Sequence, residues 1–561
     1  MLSSLFEIIA LLSLAGAFDI HENVVGLEFR VLRSDAFSTH QTGRWVKNVR
    51  WRHRLSSRSS GTILINSLNQ GVQYVVDIEM GTPPQTQTVV IDTNSSDLWL
   101  MGPENPYCLG EPGDIHASHQ VNCSGFSRFD PKKSSSLTWN STQYADIFDT
   151  LWGPTFSNGT YAQDNLKIGD TTINMVNFAV ASKANTGPIF GLGTEFQGVV
   201  SDSDSDDDED SDSDSDDETC YPPVFQSMIE QGYIQSSSFS LWLNGIDAEG
   251  GNVLFGGVDH AKYTGDLVVM PAVTTQNAIQ MTGAGITIGE STIQLVSKGG
   301  FPVVLDSSQM ISIIPDDWVD AIGMTIGAVY DNDLNMYVMN CDSKIVDNIY
   351  FELAGNQFPA ALQDMLFPLT YQDGTPIPDI NGSPLCVLGM IYADSPGGAE
   401  EGEDYDGAGQ AAWFLGQAFL RGVYLVFNYD TNQVAIAQAN TTADTLDSNI
   451  EPIVNKIPSA VSAKSYSNID LCLNSVMPDV TISGATQVVY TLPNLADVGF
   501  GLDIGPSFSA IYSPNFTAQA DSTAQHDPVG TSTSPSPSRT ANFAGKNGIS
   551  GLAVYLLNAL L

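Results

Sequence analysis

With 561 residues and 42% hydrophobic composition, the chain can bury a large core, and global disorder is excluded. Its formal net charge of −43 sets it against nucleic acid and anionic membrane, and suits basic partners or an acidic medium.

From the start, Met1–Ala17 holds a short apolar run, Ile8–Leu14, and then the small-residue pattern Ala15-Gly16-Ala17. It reads as a secretory signal peptide (1–17). Secretion places the six cysteines in an oxidising compartment. Residues 18–60 are basic, with Arg30, Arg33, Arg44, Lys47, Arg50, Arg52, Arg54 and Arg58 out of 21 Lys and Arg in the whole chain. A basic leader ahead of an acidic body reads as a propeptide that neutralises the body and occupies its cleft, released by a cut near Arg54 or Arg58. The other reading is a basic tail with no inhibitory role.

Residues 61–263 are short apolar runs broken by Gly, Pro, Asn and Ser, which predicts an all-β lobe with one short helix over Pro222–Gln231. Within it, Val89-Val90-Ile91 carries Asp92 into the polar turn Thr93-Asn94-Ser95-Ser96. Ser201–Glu218 alternates Ser and Asp; a segment of this kind buries nothing, so 201–219 is expected as a solvated loop. Three roles stay open for it: an inert solubilising loop, an attractor of basic substrates, or a loose Ca²⁺ ligand set. The last lacks the spacing and the Gly turn of an EF-hand loop.

Residues 264–440 repeat the style. Phe301-Pro302-Val303-Val304-Leu305 carries Asp306 into Ser307-Ser308-Gln309. Pro315–Ile322 is a predicted helix, with Pro at its start and acids in its first turn. Gly397–Gly409 is a second acidic, Gly-rich loop. One Asp alone on such a turn would be a cap. Two, in matching context, are the parts of a dyad in which one carboxyl holds a proton and the other accepts one, because like charges a few Å apart do not both ionise easily.

Residues 441–541 form an extension and stalk. Apolar runs such as Gln487–Leu492 occur in 449–512, for which no fold is assigned, and 513–540 is rich in Ser, Thr, Pro and Ala, as in an O-glycosylated stalk. In the tail 542–561, the thirteen residues Ile549–Leu561 are too few to span a bilayer. Small residues, a polar spacer and a short apolar end together read as a GPI signal, cleaved between Ser538 and Asn547. The alternative is a C-terminal strand of the fold. Sequons at Asn122, Asn140, Asn158, Asn440 and Asn515 suit a secreted glycoprotein, and another at Asn381 is followed by Pro. Asn94 also heads a sequon, but its turn should fold inside.

These residues resemble the pepsin-like aspartic proteases, and within them the fungal, surface-anchored yapsin-like branch. That family's pattern is Asp-Thr-Gly-Ser-Ser-Asp-Leu-Trp at the first site, matched by Asp92–Trp99, and Asp-Ser-Gly-Thr at the second, matched from Asp306. The resemblance runs from about Gln73 to Ala439. It includes the lead-in Tyr74–Gln85, the stretch Gly251–Asp259, and Phe414–Arg421 followed by Val423–Phe427. It implies an all-β, bilobal fold with a cleft between the two β-rich lobes. Asp92 and Asp306 would share one proton and activate a water without metal or other cofactor. Thr93 and Ser307 would lock the two turns together, Ser95 would hydrogen-bond an outer oxygen of Asp92, and Gln309 would donate to Asp306 from its longer side chain. Tyr144 would be the flap tyrosine, meeting the ring nitrogen of Trp99. The resemblance also implies disulfides Cys108–Cys123 and Cys341–Cys386. For Cys220 and Cys472, pairing, free thiols and a bond to another chain all stay open.

The chain departs from the pattern at three motif positions. Asn94 and Ser308 stand where the family has Gly, and Gln309 stands where it has a hydroxyl residue. Ile147 and Phe148 replace the Gly-rich flap tip, in a longer stretch that contains Trp152 and runs to Gly159. Two functions follow as expectations. The first is a secreted or GPI-anchored cell-surface aspartic endopeptidase, working at acidic pH. It would be a monomer, bound to the membrane by its lipid alone, acting on protein or peptide substrates that the acidic loops would favour as basic. The alternative is a protease-like cell-wall protein that has lost catalysis and acts as a binding or structural module.

Overall fold

The computed structural model describes residues 23–32, 63–64, 73–108, 123, 126–139, 147–152, 155–193, 223–245, 248, 250–272, 278–288, 291–331, 336–343, 348–371, 376–379, 382–392, 413–443, 448–464 and 480–483. Strands dominate them. The helices are short, and two of them, Val224–Glu230 and Asp316–Thr325, lie where proline-led apolar patterns predict them.

The first half is built on β1 (Val25–Leu32), β2 (Gln73–Met80), β3 (Gln85–Asp92), β4 (Trp99–Met101), β5 (Thr155–Ile168), β6 (Thr171–Ala184), β7 (Ile189–Gly191), β8 (Ser238–Trp242) and β9 (Gly250–Phe255). β2 and β3 form an antiparallel ladder from Val75↔Val90 to Met80↔Gln85. From Gln87 onward every residue of β3 is buried, so its apolar run is a core strand rather than an alternating surface one.

The second half holds β10 (Ala278–Ile288), β11 (Ser291–Leu305), β12 (Ser312–Ile314), β13 (Met390–Tyr392) and β14 (Trp413–Leu415) in one sheet. Its closing strands, β15 (Val423–Asn428) and β16 (Gln433–Ala439), cross back to the first half. β15 pairs with β8 from Ser238↔Asn428 to Trp242↔Tyr424. One continuous sheet therefore ties the halves together, and an apolar core containing residues of both lies against it. This is the all-β, two-lobed architecture expected from the sequence.

Two segments join this sheet unexpectedly. β1 lies inside the basic leader, yet it sits between β9 and β2, pairing Val25↔Phe255 and Val31↔Tyr74. Its alternation is legible in hindsight: Val25, Leu27 and Phe29 are buried while Glu28 is exposed. Phe29 meets the Tyr74 ring edge-on at 5.2 Å. The second segment follows the closing strands. Ile450–Pro452 pairs with Gly257–Asp259, and Val461–Ser462 runs parallel to Tyr263–Pro271. Between them Ile453 and Ile457 are buried beside Trp242, Leu267 and Tyr424. Residues 448–464 are thus a strap over the back of the connecting sheet, where the sequence reading assigned no fold. The run Gln487–Leu492 lies outside the described residues.

Candidate active site

Each Asp stands at the end of a buried strand that a short parallel strand supports. Beside β3 runs β7, with Val90 opposite Ile189 and Asp92 opposite Gly191. Beside β11 runs β14, with Val303 opposite Trp413 and Leu305 opposite Leu415. Asp92 O accepts from Leu192 N at 2.8 Å, and Asp306 N donates to Leu415 O at 3.1 Å. A glycine seats each turn. A Cβ on Gly191 would stand 2.5 Å from Ser95 O, and one on Gly416 would stand 2.5 Å from Ile311 O and 2.6 Å from Gln309 O. Backbone lies against backbone at both places, so a side chain has no room.

The two turns then grip each other. Thr93 Oγ1 donates to Leu305 O at 2.6 Å and accepts from Ser307 N at 3.0 Å. Ser307 Oγ donates to Ile91 O at 2.9 Å and accepts from Thr93 N at 3.1 Å. Both side chains are fully buried. Each hydroxyl uses its donor and an acceptor lone pair on the other turn, so no backbone group in the lock is left orphaned. Gln417 donates its Nε2 to Ser307 O at 2.8 Å and braces the second turn.

The lock brings two buried carboxyls together. Asp92 Oδ1 accepts the Asn94 N–H at 2.8 Å. Asp306 Oδ1 accepts Ser308 N at 2.8 Å, Ser308 Oγ at 2.7 Å and Gln309 N at 3.2 Å. Burial, and then the neighbouring Asp306 charge, push Asp92 up to about 7 against the pull of Asn94 N–H and the nearby Ser95 and Ser308 hydroxyls; the hydrogen bond expected from Ser95 to Asp92 is not formed, since its buried Oγ has no hydrogen-bond partner. Burial also raises Asp306, against donors on Ser308, Gln309 and Asn94. The substituted side chains also bear on the electrostatics of the opposite turn: Ser308 lowers Asp92 as well as its own Asp306, and Asn94 lowers Asp306. Two buried carboxyls that act on each other are the kind of pair in which one can keep a proton while the other is ionised.

Farther along the first turn, Asp97 accepts from the Tyr161 hydroxyl at 3.2 Å, and burial pushes it up to about 6. Trp99 is buried against Tyr161, Ala179 and Ala181. Tyr144, its expected partner, lies outside the described residues. The hairpin beyond it is present as backbone: Ile147–Trp152 pairs with β5 from Ile147↔Thr160 to Trp152↔Thr155. Cys108–Cys123 and Cys341–Cys386 are both bonded. Asn158 lies on β5, and Asn440 donates its amide to Ala261 O at 3.1 Å. Asn122, Asn140, Asn515, Cys220, Cys472 and the acidic loop 201–219 lie outside the described residues.

A family profile described as eukaryotic aspartyl protease matches residues 73–439. The chain belongs to the eukaryotic aspartyl protease family. Among relatives of this aspartyl protease is aspartic proteinase MKC7 of Saccharomyces cerevisiae, 28% identical over 486 residues, covering 75% of each chain. Aspartic proteinase 3 of the same yeast is 29% identical over 484 residues, covering 74% of this chain and 78% of its own. Aspartic proteinase yapsin-3 is 29% identical over 432 residues, covering 74% and 75%. Family membership makes the enzyme class aspartic-type endopeptidase, acting on peptides.

Proposed function

We propose that this aspartyl protease hydrolyses peptide bonds with Asp92 and Asp306 as a general acid–base pair, outside the cell and at acidic pH. The observation that carries the reading is the reciprocal Thr93–Ser307 lock, which fixes two buried carboxyls from distant parts of the chain on one seam. The ionised carboxyl takes a proton from water as the water oxygen bonds to the peptide carbon. The protonated carboxyl delivers its proton to the carbonyl oxygen, giving a tetrahedral diol; the first carboxyl then passes the water proton to the amide nitrogen as the C–N bond breaks, and a diol hydroxyl returns its proton to the second carboxyl as the C=O bond re-forms. Burial that lifts Asp92 to about 7 keeps one proton on the pair through mildly acidic pH. Thr93 and Ser307 hold the turns, Ser95 tempers Asp92, and Gln309 contributes its N–H to Asp306. Tyr144 and Trp99 are assigned to the flap side of the substrate.

Secretion is supported by the signal-like residues 1–17 and by the two disulfides. The stalk and the GPI-like tail support a cell-surface anchor through lipid. The charge of −43 favours basic peptides over nucleic acid, and a monomer needs no further surface. A second reading, a binding module without catalysis, is favoured by one observation: Asn94 and Ser308 place side chains on the carboxyl pair where the family has glycine.

The test is cleavage of an unfolded protein at pH 3 to 6 by the secreted body, with and without pepstatin, beside Asp92→Asn. Pepstatin-sensitive cleavage that disappears in the variant is the expected result. Folded, leader-free protein that cleaves nothing would leave the binding module.

A further inference from the structure

The second turn has lost one hydroxyl and gained another. Gln309 occupies the position where the family carries a hydroxyl residue, and it reaches Asp306 through its backbone N–H at 3.2 Å. One residue earlier, Ser308 replaces a glycine and sets its Oγ 2.7 Å from Asp306 Oδ1, beside its own N–H at 2.8 Å. The first turn keeps a hydroxyl on Ser95 in the fourth position, and Asn94 in the third supplies the N–H at 2.8 Å to Asp92 Oδ1.

We propose that Ser308 is the positioning residue of the second turn, its hydroxyl replacing the one Gln309 cannot supply, and that it makes Asp306 the ionised and Asp92 the proton-bearing member of the pair. This rests on the reading of the two Asp as the catalytic pair. Three donors on one oxygen stabilise a carboxylate far better than they stabilise a neutral acid. The pull of Ser308 on both carboxyls agrees with a hydroxyl at their junction. Asn94, Ser95, Ser308 and Gln309 bring only amides and hydroxyls to the pair, and Asp97 is engaged with Tyr161. In the reaction, the water proton then goes to Asp306, the new C–O bond forms, and the Asp92 proton moves to the former carbonyl oxygen. Asp306 ends neutral and Asp92 ends ionised, so protons and charge balance.

The experiment uses the full secreted chain with Ser308→Ala, Ser308→Gly, Ser308→Thr and the pair Ser308→Gly with Gln309→Thr. Thermal unfolding is followed from pH 3 to 8, and kcat/KM from pH 3 to 7. The hydroxyl serves the charged form. Losing it should therefore lower the melting temperature by an amount that grows as pH rises from about 4 toward 7, where a buried Asp ionises. The acid limb of kcat/KM should rise by about one to two pH units, the loss of one hydrogen bond to a charge. Ser308→Thr and the paired variant should return both profiles to wild type. The growth with pH should persist when Ser308→Ala is placed in Asp92→Asn and vanish in Asp306→Asn. A loss of stability equal at every pH, or no rescue by the paired variant, overturns the proposal, and the reverse dependence on the two Asn variants overturns the charge assignment. If no chain cleaves peptide, the catalytic reading fails while the unfolding profiles still decide the role of Ser308.

Discussion

The turn at Asp92 and the turn at Asp306 share a frame and differ in their electrostatics. In both, a buried strand ends at the carboxyl, a short parallel strand supports it, a glycine lets backbone meet backbone, and a hydroxyl crosses to the other turn. These features recur at both turns because each has a parallel supporting strand, a glycine and a hydroxyl residue at matching places, so the frame is alike on the two sides. The third and fourth positions differ, and with them the donors that bond Oδ1: Asn94 N on Asp92, against Ser308 N, Ser308 Oγ and Gln309 N on Asp306, while the Ser95 and Ser308 hydroxyls also weigh on Asp92. A symmetric scaffold can thus hold an asymmetric charge, because charge follows the donors on each oxygen rather than the path of the chain.

The hardest way to break this comparison is to remove the carboxyls themselves. Asp92→Asn and Asp306→Asn should each cut kcat by about 10²- to 10⁴-fold, the usual worth of general acid–base catalysis, with folded protein verified by circular dichroism. A variant that kept its rate would remove that residue from the chemistry. Next comes the lock. Thr93→Val orphans Leu305 O and Ser307 N–H, while Ser307→Ala orphans Ile91 O and Thr93 N–H. Roughly 1–3 kcal/mol is expected for each buried group left unpaired, so urea unfolding should show large and similar losses for the two variants. Clearly unequal losses would show that the frame is less symmetric than its geometry.

The charge half of the comparison is sharpened by pH. Asp92 is raised from 3.8 to about 7 by burial and by Asp306. Below its unfolded value both states hold the proton, and folding carries no penalty from this group. As pH rises from about 4 to about 7, the unfolded chain releases the proton and the folded one keeps it, so stability falls and then levels off. Asp92→Asn does not titrate, so its melting temperature should gain on wild type across that window and not below it. A constant difference would contradict the raised value. The smallest effect is expected at the glycines. Gly191→Ala and Gly416→Ala should each cost about 1–3 kcal/mol, the usual price of overpacking, and again by similar amounts in urea unfolding.

Much of this was legible in the chain. The apolar runs before Asp92 and Asp306, the hydroxyls after them, and the short helices are local patterns, and local patterns survive in a linear text. Both disulfide pairs followed from the family resemblance and are present. Other features could not be placed from local pattern alone. β1 sits within a run of arginines, and its place between β9 and β2 depends on partners far away in sequence. The strap at 448–464 begins beyond residue 439, where the family match stops, and its two isoleucines make sense only against Trp242 and Tyr424. Gly191 and Gly416 look like ordinary turn glycines until the opposing carbonyls are known.

By itself, the sequence determined which carboxyls could pair, which strands would be buried, and that the chain would be rich in β-strands, because burial periodicity and turn chemistry act over a few residues; the two-lobed fold followed from the family resemblance. Only the tertiary structure decided how the pair is held. Thr93 and Ser307 stand 214 residues apart, and their hydroxyls become a lock only when two buried turns close on each other and leave no water to take those hydrogen bonds. The same closure decided that a serine in a glycine's place would bring a hydroxyl to Asp306, since the direction of a side chain depends on the backbone packed around it.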